Sequence, residues 1–262
     1  MDWDGDILQK RLAGKFFGHR LYYYPQTGST NDEAYRLGME GAPEGTAVIA
    51  ETQTGGKGRL CRNWHSPAGS NIYTSLIMRP QIAAEAAPQI SLAAGVAVAD
   101  SLLPYLPGRV ELKWPNDVLI GGKKVCGILA QLKLSGSAVD FVVLGIGINV
   151  NSEIAQFPED FRHLATSLAA HACGKISRLD LIISLYENLA KWYKKLLQNG
   201  FPAVRERWRQ LAPMIGRDVQ VMFLNEKTTG KALDLADDGS LLVLTAKNEE
   251  LRISAGDATI VK

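Results

Sequence analysis

Ten residues, Gly55-Gly56-Lys57-Gly58-Arg59-Leu60-Cys61-Arg62-Asn63-Trp64, carry three glycines and three cations. Glycine lets a backbone turn tightly and bring bare N–H groups close to a ligand. Lysine and arginine beside such N–H groups make a site for phosphate or carboxylate. A loop with this chemistry can close over an anion and exclude water. The competing reading is a solvated basic surface loop, in which the same residue types are common.

Four further knots punctuate apolar runs: Gly28-Ser29-Thr30-Asn31, Lys113-Trp114-Pro115-Asn116-Asp117, Lys124-Val125-Cys126-Gly127-Ile128-Leu129 and Gly145-Ile146-Gly147-Ile148-Asn149. Together with the loop they suggest one pocket built from several loops and strand ends. Lys124 opens an otherwise apolar strand. It either snorkels at a sheet edge or offsets charge where two anions must meet, a large term in catalysis. Ser29, Thr30 and Asn31 read as a helix cap, and helix N-termini also bind polar ligand groups. Asn116 and Asp117 suit an Asx-type turn. Two phosphate motifs are excluded. A P-loop lysine is followed by a hydroxyl residue, whereas Gly58 follows Lys57 and Val125 follows Lys124. Gly145-Ile146-Gly147 begins a dinucleotide fingerprint, but Val150 stands where its third glycine belongs.

Composition bounds the function classes. The 262 residues are 46% hydrophobic and 21% charged, with a formal net charge of +2, which fits a globular chain of one large domain or a large and a small one. Near-neutrality argues against a nucleic-acid footprint, which shows as a basic excess. Lys191-Trp192-Tyr193-Lys194-Lys195 is a local exception, read as cations complementing a helix dipole. Cys61, Cys126 and Cys173 form no disulfide framework, and His19, His65, His163 and His171 have no zinc-ligand spacing. The acidic Met1-Asp2-Trp3-Asp4 start does not read as a signal peptide, and no apolar run approaches the roughly 18 residues of a membrane span. These features predict a cytoplasmic protein.

The elements that must position these residues alternate along the chain. Periodicity predicts a short helix at Ile7–Leu12, a strand at 21–24, and a helix from an N-cap at Thr30, with Glu33 completing a capping box, to about Gly38. A strand at 46–50 precedes the Gly-rich loop, a strand at 71–78 follows it, and a helix spans 89–103. A meander of strands at 109–113, 117–120, 124–134 and 139–148 comes next, with Gly121-Gly122 as a hairpin turn. Residues 149–178 read as loop with short helices, followed by helices at 179–197 and 202–211. After Pro213, short β-rich runs at 218–223, 230–235, 241–245, 251–254 and 259–261 suggest a small barrel, with Asn225-Glu226 as one turn. The large part reads as α+β, a mixed sheet packed with helices.

With these motifs in this order from about Leu21 to the C-terminus, the sequence closely resembles the biotin protein ligases in their shorter form, without a DNA-binding domain. The resemblance implies a class II synthetase-like catalytic domain over residues 1–212 and an SH3-like β-barrel domain over 213–262. It implies an enzyme that joins biotin to AMP from ATP, with Mg²⁺ on the nucleotide, and transfers biotin to a lysine of a biotin carboxyl carrier protein. It assigns biotin contacts to Ser29, Thr30, Asn31, Gln53, Lys57, Gly58, Arg59, Lys124, Gly127, Gly145 and Gly147. ATP contacts fall to Lys57, Arg59, Arg62, Trp64, Lys124 and Asn149, and catalytic roles to Lys124, Arg59 and Asp117. Trp64 also fits plain loop packing, and no residue is assigned as a metal ligand. Neither nucleic acid nor membrane is expected as a partner, and a homodimer is compatible with the reading.

One departure stands out: Lys57 occupies a position commonly held by arginine, which keeps the charge but loses bidentate geometry. Three alternatives frame the expectation. A lipoate ligase shares the adenylate logic but needs fewer polar groups than Ser29, Thr30, Asn31 and Gln53 supply. A biotin-sensing repressor needs a winged helix-turn-helix of about 60 residues where only about 20 precede Leu21. A nucleotide-binding module without catalysis leaves Lys124 and the loop cations unexplained.

Overall fold

The computed structural model describes residues 3–223 and 226–261. Helix α1 (Gly5–Leu12) starts where the Asp4 carboxylate accepts from the Ile7 N–H at 2.8 Å. Strands β1 (Leu21–Tyr24) and β2 (Ala47–Ala50) pair in parallel, with α2 (Thr30–Met39) as their crossover. Then come β3 (Ile72–Met78), α3 (Pro88–Leu102), β4 (Val110–Lys113), β5 (Asp117–Ile120), β6 (Lys123–Ser135) and β7 (Ala138–Ile148). They complete one mixed sheet of order β1-β2-β3-β7-β6-β5-β4. The chain continues through α4 (Glu159–Arg162), α5 (Arg178–Asn199) and α6 (Pro202–Leu211). Proline at the first position starts both α3 and α6, where its missing N–H costs no helical bond.

Alternation along the strands gives the sheet two faces. One face carries Leu76, Leu144, Ile146 and Ile148 into the main core with α1, α3 and α5. The other carries Val48, Ile77, Phe141 and Val143 against Ala34 and Leu37 of α2. Because α2 is short, it covers only part of that second face. The cross-strand register places Ser75, Gly145 and Leu129 in one row, and Tyr73, Gly147 and Gly127 in the next. These rows carry the face past the N-terminus of α2, and the open floor they form is where a ligand can lie.

A second sheet follows, of β8 (Asp218–Phe223), β9 (Glu226–Leu235), β10 (Leu241–Leu244), β11 (Glu250–Ile253) and β12 (Asp257–Ile260), all antiparallel in the order β11-β10-β9-β8-β12. Val219, Val221, Leu235, Leu241 and Val243 turn inward and join the main core. The indole of Trp114 is buried and donates to the Gly239 carbonyl at 3.0 Å, tying the two sheets together. Of the expected Asn225-Glu226 turn, Glu226 instead opens β9, paired with Phe223, and Asn225 lies outside the described residues.

Two local expectations are corrected. Ser29, not Thr30, is the N-cap residue of α2; Thr30 is its first helical residue, and Glu33 pairs with Arg36 instead of closing a capping box. The Thr30 hydroxyl is turned inward to Gln53 and Ser75, a better use of a buried polar group than a solvent-side cap. Helix α5 runs two residues beyond Leu197 and has no cation in its last turn. Lys191 and Lys195 instead bracket the Trp192 ring at 5.4 and 5.0 Å, a cation–π arrangement.

Candidate active site

A cavity of about 640 Å³ opens on the glycine floor. Its walls include Ser29, Thr30 and Asn31 from the start of α2, Gln53, and the loop residues Lys57, Gly58, Arg59, Arg62 and Trp64. Asp117, Lys124, Gly127, Gly145, Gly147 and Asn149 complete the part read from sequence. Every candidate residue therefore meets at one place. Lys113, from the same sequence knot as Asp117, is its register partner across β4 and β5 but is not part of the wall.

The polar end lies at the helix. The Thr30 N–H donates to Gln53 Oε1 at 2.8 Å, and Asn31 sits against Gly145 so closely that a methyl there would come within 2.7 Å of the Asn31 Cγ. Gly147 and Gly127 make room for Trp64 in the same way; a Cβ on Gly127 would lie 3.0 Å from its ring. The glycines thus clear space first for the protein's own polar and aromatic side chains, which in turn form the cavity lining. The Trp64 Nε1 is buried with no hydrogen-bond partner, a donor left available for a ligand.

Lys124 is held from both sides. Opposite β5, the register slips between Val118 and Leu119, so β6 accommodates one extra residue at Val125. Bulges of this kind re-aim side chains beside functional sites. The backbone of Lys124 also pairs with the segment 164–166: its N–H donates to the Leu164 carbonyl at 2.8 Å, and the Thr166 N–H donates to its carbonyl at 2.9 Å. The ammonium then sits 2.6 Å from Asp117 Oδ1 and 5.5 Å from the centre of the Trp64 ring.

Charge around the cavity is closely matched. Lys57 meets Asp32 at 2.7 Å, Arg59 and Arg62 share Asp257 at 3.2 and 3.1 Å, and Lys124 holds Asp117. Four cations face three carboxylates, so an incoming anion must compete for groups already paired. Arg59 also donates to Asn116 Oδ1 and to the Gly256 carbonyl, both at 3.0 Å. The Gly-rich loop itself bends at Leu60 and Cys61, whose φ values are 54° and 57°. Left-handed backbone at two non-glycine residues in succession is uncommon and clusters where loops bind ligands.

Two titratable neighbours are shifted toward their neutral forms. Burial pushes the Cys126 thiol upward, with Lys124 opposing and Asp117 adding to the shift; a thiol so placed is a poor nucleophile. His171 is held below its usual range, first by burial and then by Arg109 and Lys123. Its ring bonds Thr166 Oγ1 at 2.8 Å and Arg109 at 3.3 Å, which braces the segment anchoring Lys124.

Several wall and support residues were not among the sequence candidates. Phe157, Phe161 and Leu164 give the cavity an apolar side. Asp32 and Asp257 hold the loop cations. Ser75 and Gln131 hold Asn31 from behind, at 2.6 and 2.9 Å. The amide of Asn149 donates to the Thr166 carbonyl at 3.0 Å, so its oxygen is the end left for a ligand.

Known proteins give this arrangement its class. Residues 23–149 match the model of the biotin/lipoate A/B protein ligase family, and residues 214–260 match that of the biotin protein ligase C-terminal domain. The bifunctional ligase/repressor of Bacillus subtilis is 38% identical over 234 residues, covering 89% of this chain and 72% of its own. The biotin–[acetyl-CoA-carboxylase] ligase of Mycobacterium tuberculosis is 36% identical, covering 97% of this chain and 94% of its own. Among solved structures, the Aquifex aeolicus biotin protein ligase in complex with biotin and ATP superimposes with a TM-score of 0.78 at 29% identity, over 93% of this chain and 99% of that one. The chain belongs to the biotin protein ligase family.

Proposed function

We infer that this cavity carries out both half-reactions of an ATP-dependent biotin–protein ligase. The chain is a ligase that forms an amide bond by way of biotinyl-AMP. The observation that carries the reading is the convergence, in one cavity, of Thr30, Asn31 and Gln53 at one end with Arg59, Arg62 and Lys124 at the other. A ureido ring needs both donors and an acceptor, and neutral amides and hydroxyls supply them without burying charge. A carboxylate that must approach a triphosphate needs cations at the meeting point.

In the first step a biotin carboxylate oxygen attacks the α-phosphorus of ATP, and pyrophosphate leaves. Lys124, Arg59 and Arg62 offset the repulsion between the two anions and follow the charge as it shifts. Lys57, in place of a bidentate arginine, contributes charge from Asp32's side of the entrance. In the second step the amine of an acceptor lysine attacks the biotinyl carbonyl, and AMP leaves with the bonding pair. Asp117 stands beside Lys124 to take the proton that the incoming ammonium must lose. The enzyme itself forms no covalent bond, which accords with the neutral, buried Cys126. Its contribution is orientation, charge offset and exclusion of water from the anhydride.

Mg²⁺ fits as the nucleotide's companion. It usually takes one or two carboxylates together with phosphate oxygens and water, and Asp117, Asp257 and the Asn149 oxygen are the donors this wall offers. Its chemistry there would be to neutralise the departing pyrophosphate. The acceptor we propose is the biotin carboxyl carrier part of a biotin-dependent carboxylase. The test is incubation with ATP, Mg²⁺ and either biotin or lipoate, followed by mass spectrometry. Biotinyl-AMP is expected; lipoyl-AMP without it would transfer the assignment to the other branch of the family.

A further inference from the structure

Two side chains behind the polar end of the cavity settle what that end can recognise. Ser75 on β3 is fully buried, and its Oγ lies 2.6 Å from Asn31 Oδ1 and 2.8 Å from Thr30 Oγ1. Gln131 on β6 accepts from Asn31 Nδ2 through its Oε1 at 2.9 Å. The same Nδ2 faces the Leu129 carbonyl at 3.4 Å. A backbone carbonyl can only accept, so this contact fixes which end of the Asn31 amide is nitrogen. Both hydrogens of that nitrogen are then committed inside the protein. The Ser75 hydrogen goes to Asn31 Oδ1, which keeps one lone pair for the cavity.

Gln53 is fixed by the same logic with opposite sign. The Thr30 N–H can only donate, and it meets Gln53 Oε1 at 2.8 Å. The Gln53 Nε2 gives one hydrogen to Ser66 Oγ at 2.9 Å, and its second is left for the cavity. Thr30 Oγ1 has one hydrogen, with Gln53 Oε1 at 3.1 Å and Ser75 Oγ at 2.8 Å as its internal partners. Thr30 therefore also presents a lone pair.

We propose that Ser75 and Gln131 are positioning residues that set the hydrogen-bond polarity of the cavity head: acceptors at Thr30 and Asn31, a donor at Gln53. Resting on the biotin reading above, this pattern selects a cyclic urea, with two N–H donors and one carbonyl acceptor. A ligand of the same shape with a donor in place of the carbonyl meets the Gln53 hydrogen head-on. Neither Ser75 nor Gln131 lines the cavity, so each acts by holding the Asn31 amide in the orientation that the acceptor-only Leu129 carbonyl selects. Leaving a buried amide wrongly paired is more costly than losing a hydrogen bond outright.

The test compares the parent with Ser75→Ala, Ser75→Thr and Gln131→Met in pyrophosphate release, using biotin, desthiobiotin and 2-iminobiotin. Desthiobiotin keeps the cyclic urea and loses the sulfur ring; 2-iminobiotin carries a donor where biotin has its carbonyl. Ser75→Ala should raise the KM for biotin and desthiobiotin about tenfold, with kcat moved far less and the KM for ATP unchanged. Its preference for biotin over 2-iminobiotin should fall by a similar factor, and Ser75→Thr, which keeps the hydroxyl, should restore both. Should Ser75→Ala fail to fold by circular dichroism, Gln131→Met carries the same expectation. A parental KM and preference in the alanine variant would overturn the proposal, as would an equal loss for all ligands and for ATP. Failure of the parent itself to make biotinyl-AMP would instead remove the activity on which the proposal rests.

Discussion

Arg59 and Asp257 stand 198 residues apart in the chain and meet at 3.2 Å, where the Gly-rich loop touches the C-terminal sheet. Arg62 binds the other oxygen of the same carboxylate at 3.1 Å. One acidic side chain of β12 thus ties down two cations of the loop, and the second sheet becomes part of the site without lining much of it. Ion pairs of this partial exposure are worth about 0.2–1 kcal/mol each. Asp257→Ala should therefore raise the open population of the loop several-fold, and trypsin should cut at Lys57, Arg59 or Arg62 correspondingly faster. Biotin with ATP should restore protection. Unchanged cleavage in the ligand-free variant would show that the loop is held by something else.

Arg59→Gly tests what the loop does once ligand is bound. The substitution removes a guanidinium and adds flexibility. Adenylate should still form but escape sooner, because its phosphate loses a cation of the lid. Escaped biotinyl-AMP acylates exposed lysines, so serum albumin mixed with the variant, ATP and biotin should become biotinylated on a blot. Retention of adenylate for as long as in the parent would exclude this loop as the lid.

Lys124→Ala should cost about 10²–10³ in kcat for adenylate formation, the usual loss for one preorganised electrostatic group. The fold should survive, since the backbone bonds to Leu164 and Thr166 do not involve the side chain. Near-parental pyrophosphate release would remove Lys124 from the chemistry.

Much of this site was legible in the sequence because its chemistry is local. Glycines and cations at close spacing announce the loop, and Lys124 at the head of an apolar strand stands out against its neighbours. The supporting groups were not legible, because each looks ordinary where it stands. Ser75 sits in Tyr73-Thr74-Ser75-Leu76, a run that any half-buried strand could carry, and Gln131 reads as an outward residue of β6. Their importance arises only when the register sets Ser75 opposite Gly145 and brings α2 across the same face. Asp257 ends a turn in a tail read as a small separate barrel, and nothing local links it to residue 59. Thr30 departs from expectation for a related reason. Spacing identifies a capping box, but burial beside Gln53 and Ser75 redirects the hydroxyl. The strand and helix boundaries, set by apolar periodicity and by proline and glycine, differ from expectation by a few residues at most.

His171 should give the fold a pH-dependent stability of definite sign. Its folded-state pKa is depressed from 6.5, first by burial and then by Arg109 and Lys123. The unfolded chain therefore binds a proton more readily than the folded one in this range. Stability from His171 is fully present above pH 6.5 and declines as pH falls through the depressed folded value. Protonation also forfeits the lone pair facing Arg109. Thermal melts between pH 5 and 8 should show a loss on the acid side that His171→Gln reduces. An identical slope in the variant would assign the acid sensitivity elsewhere.

Trp64 supplies the molecule with its own indicator. The other four tryptophans, Trp3, Trp114, Trp192 and Trp208, are buried in the core, where ligands do not reach. Trp64 alone combines partial exposure with a place on the Gly-rich loop, its ring over Gly147 and near the Lys124 ammonium. A nearby positive charge and a change in hydration both alter indole emission. Loop closure over an adenylate would thus be visible in intrinsic fluorescence, without a label and on the timescale of the motion itself. A Trp64→Phe protein would be nearly silent to the same event, so the signal can be attributed to one side chain and its kinetics read as those of the lid.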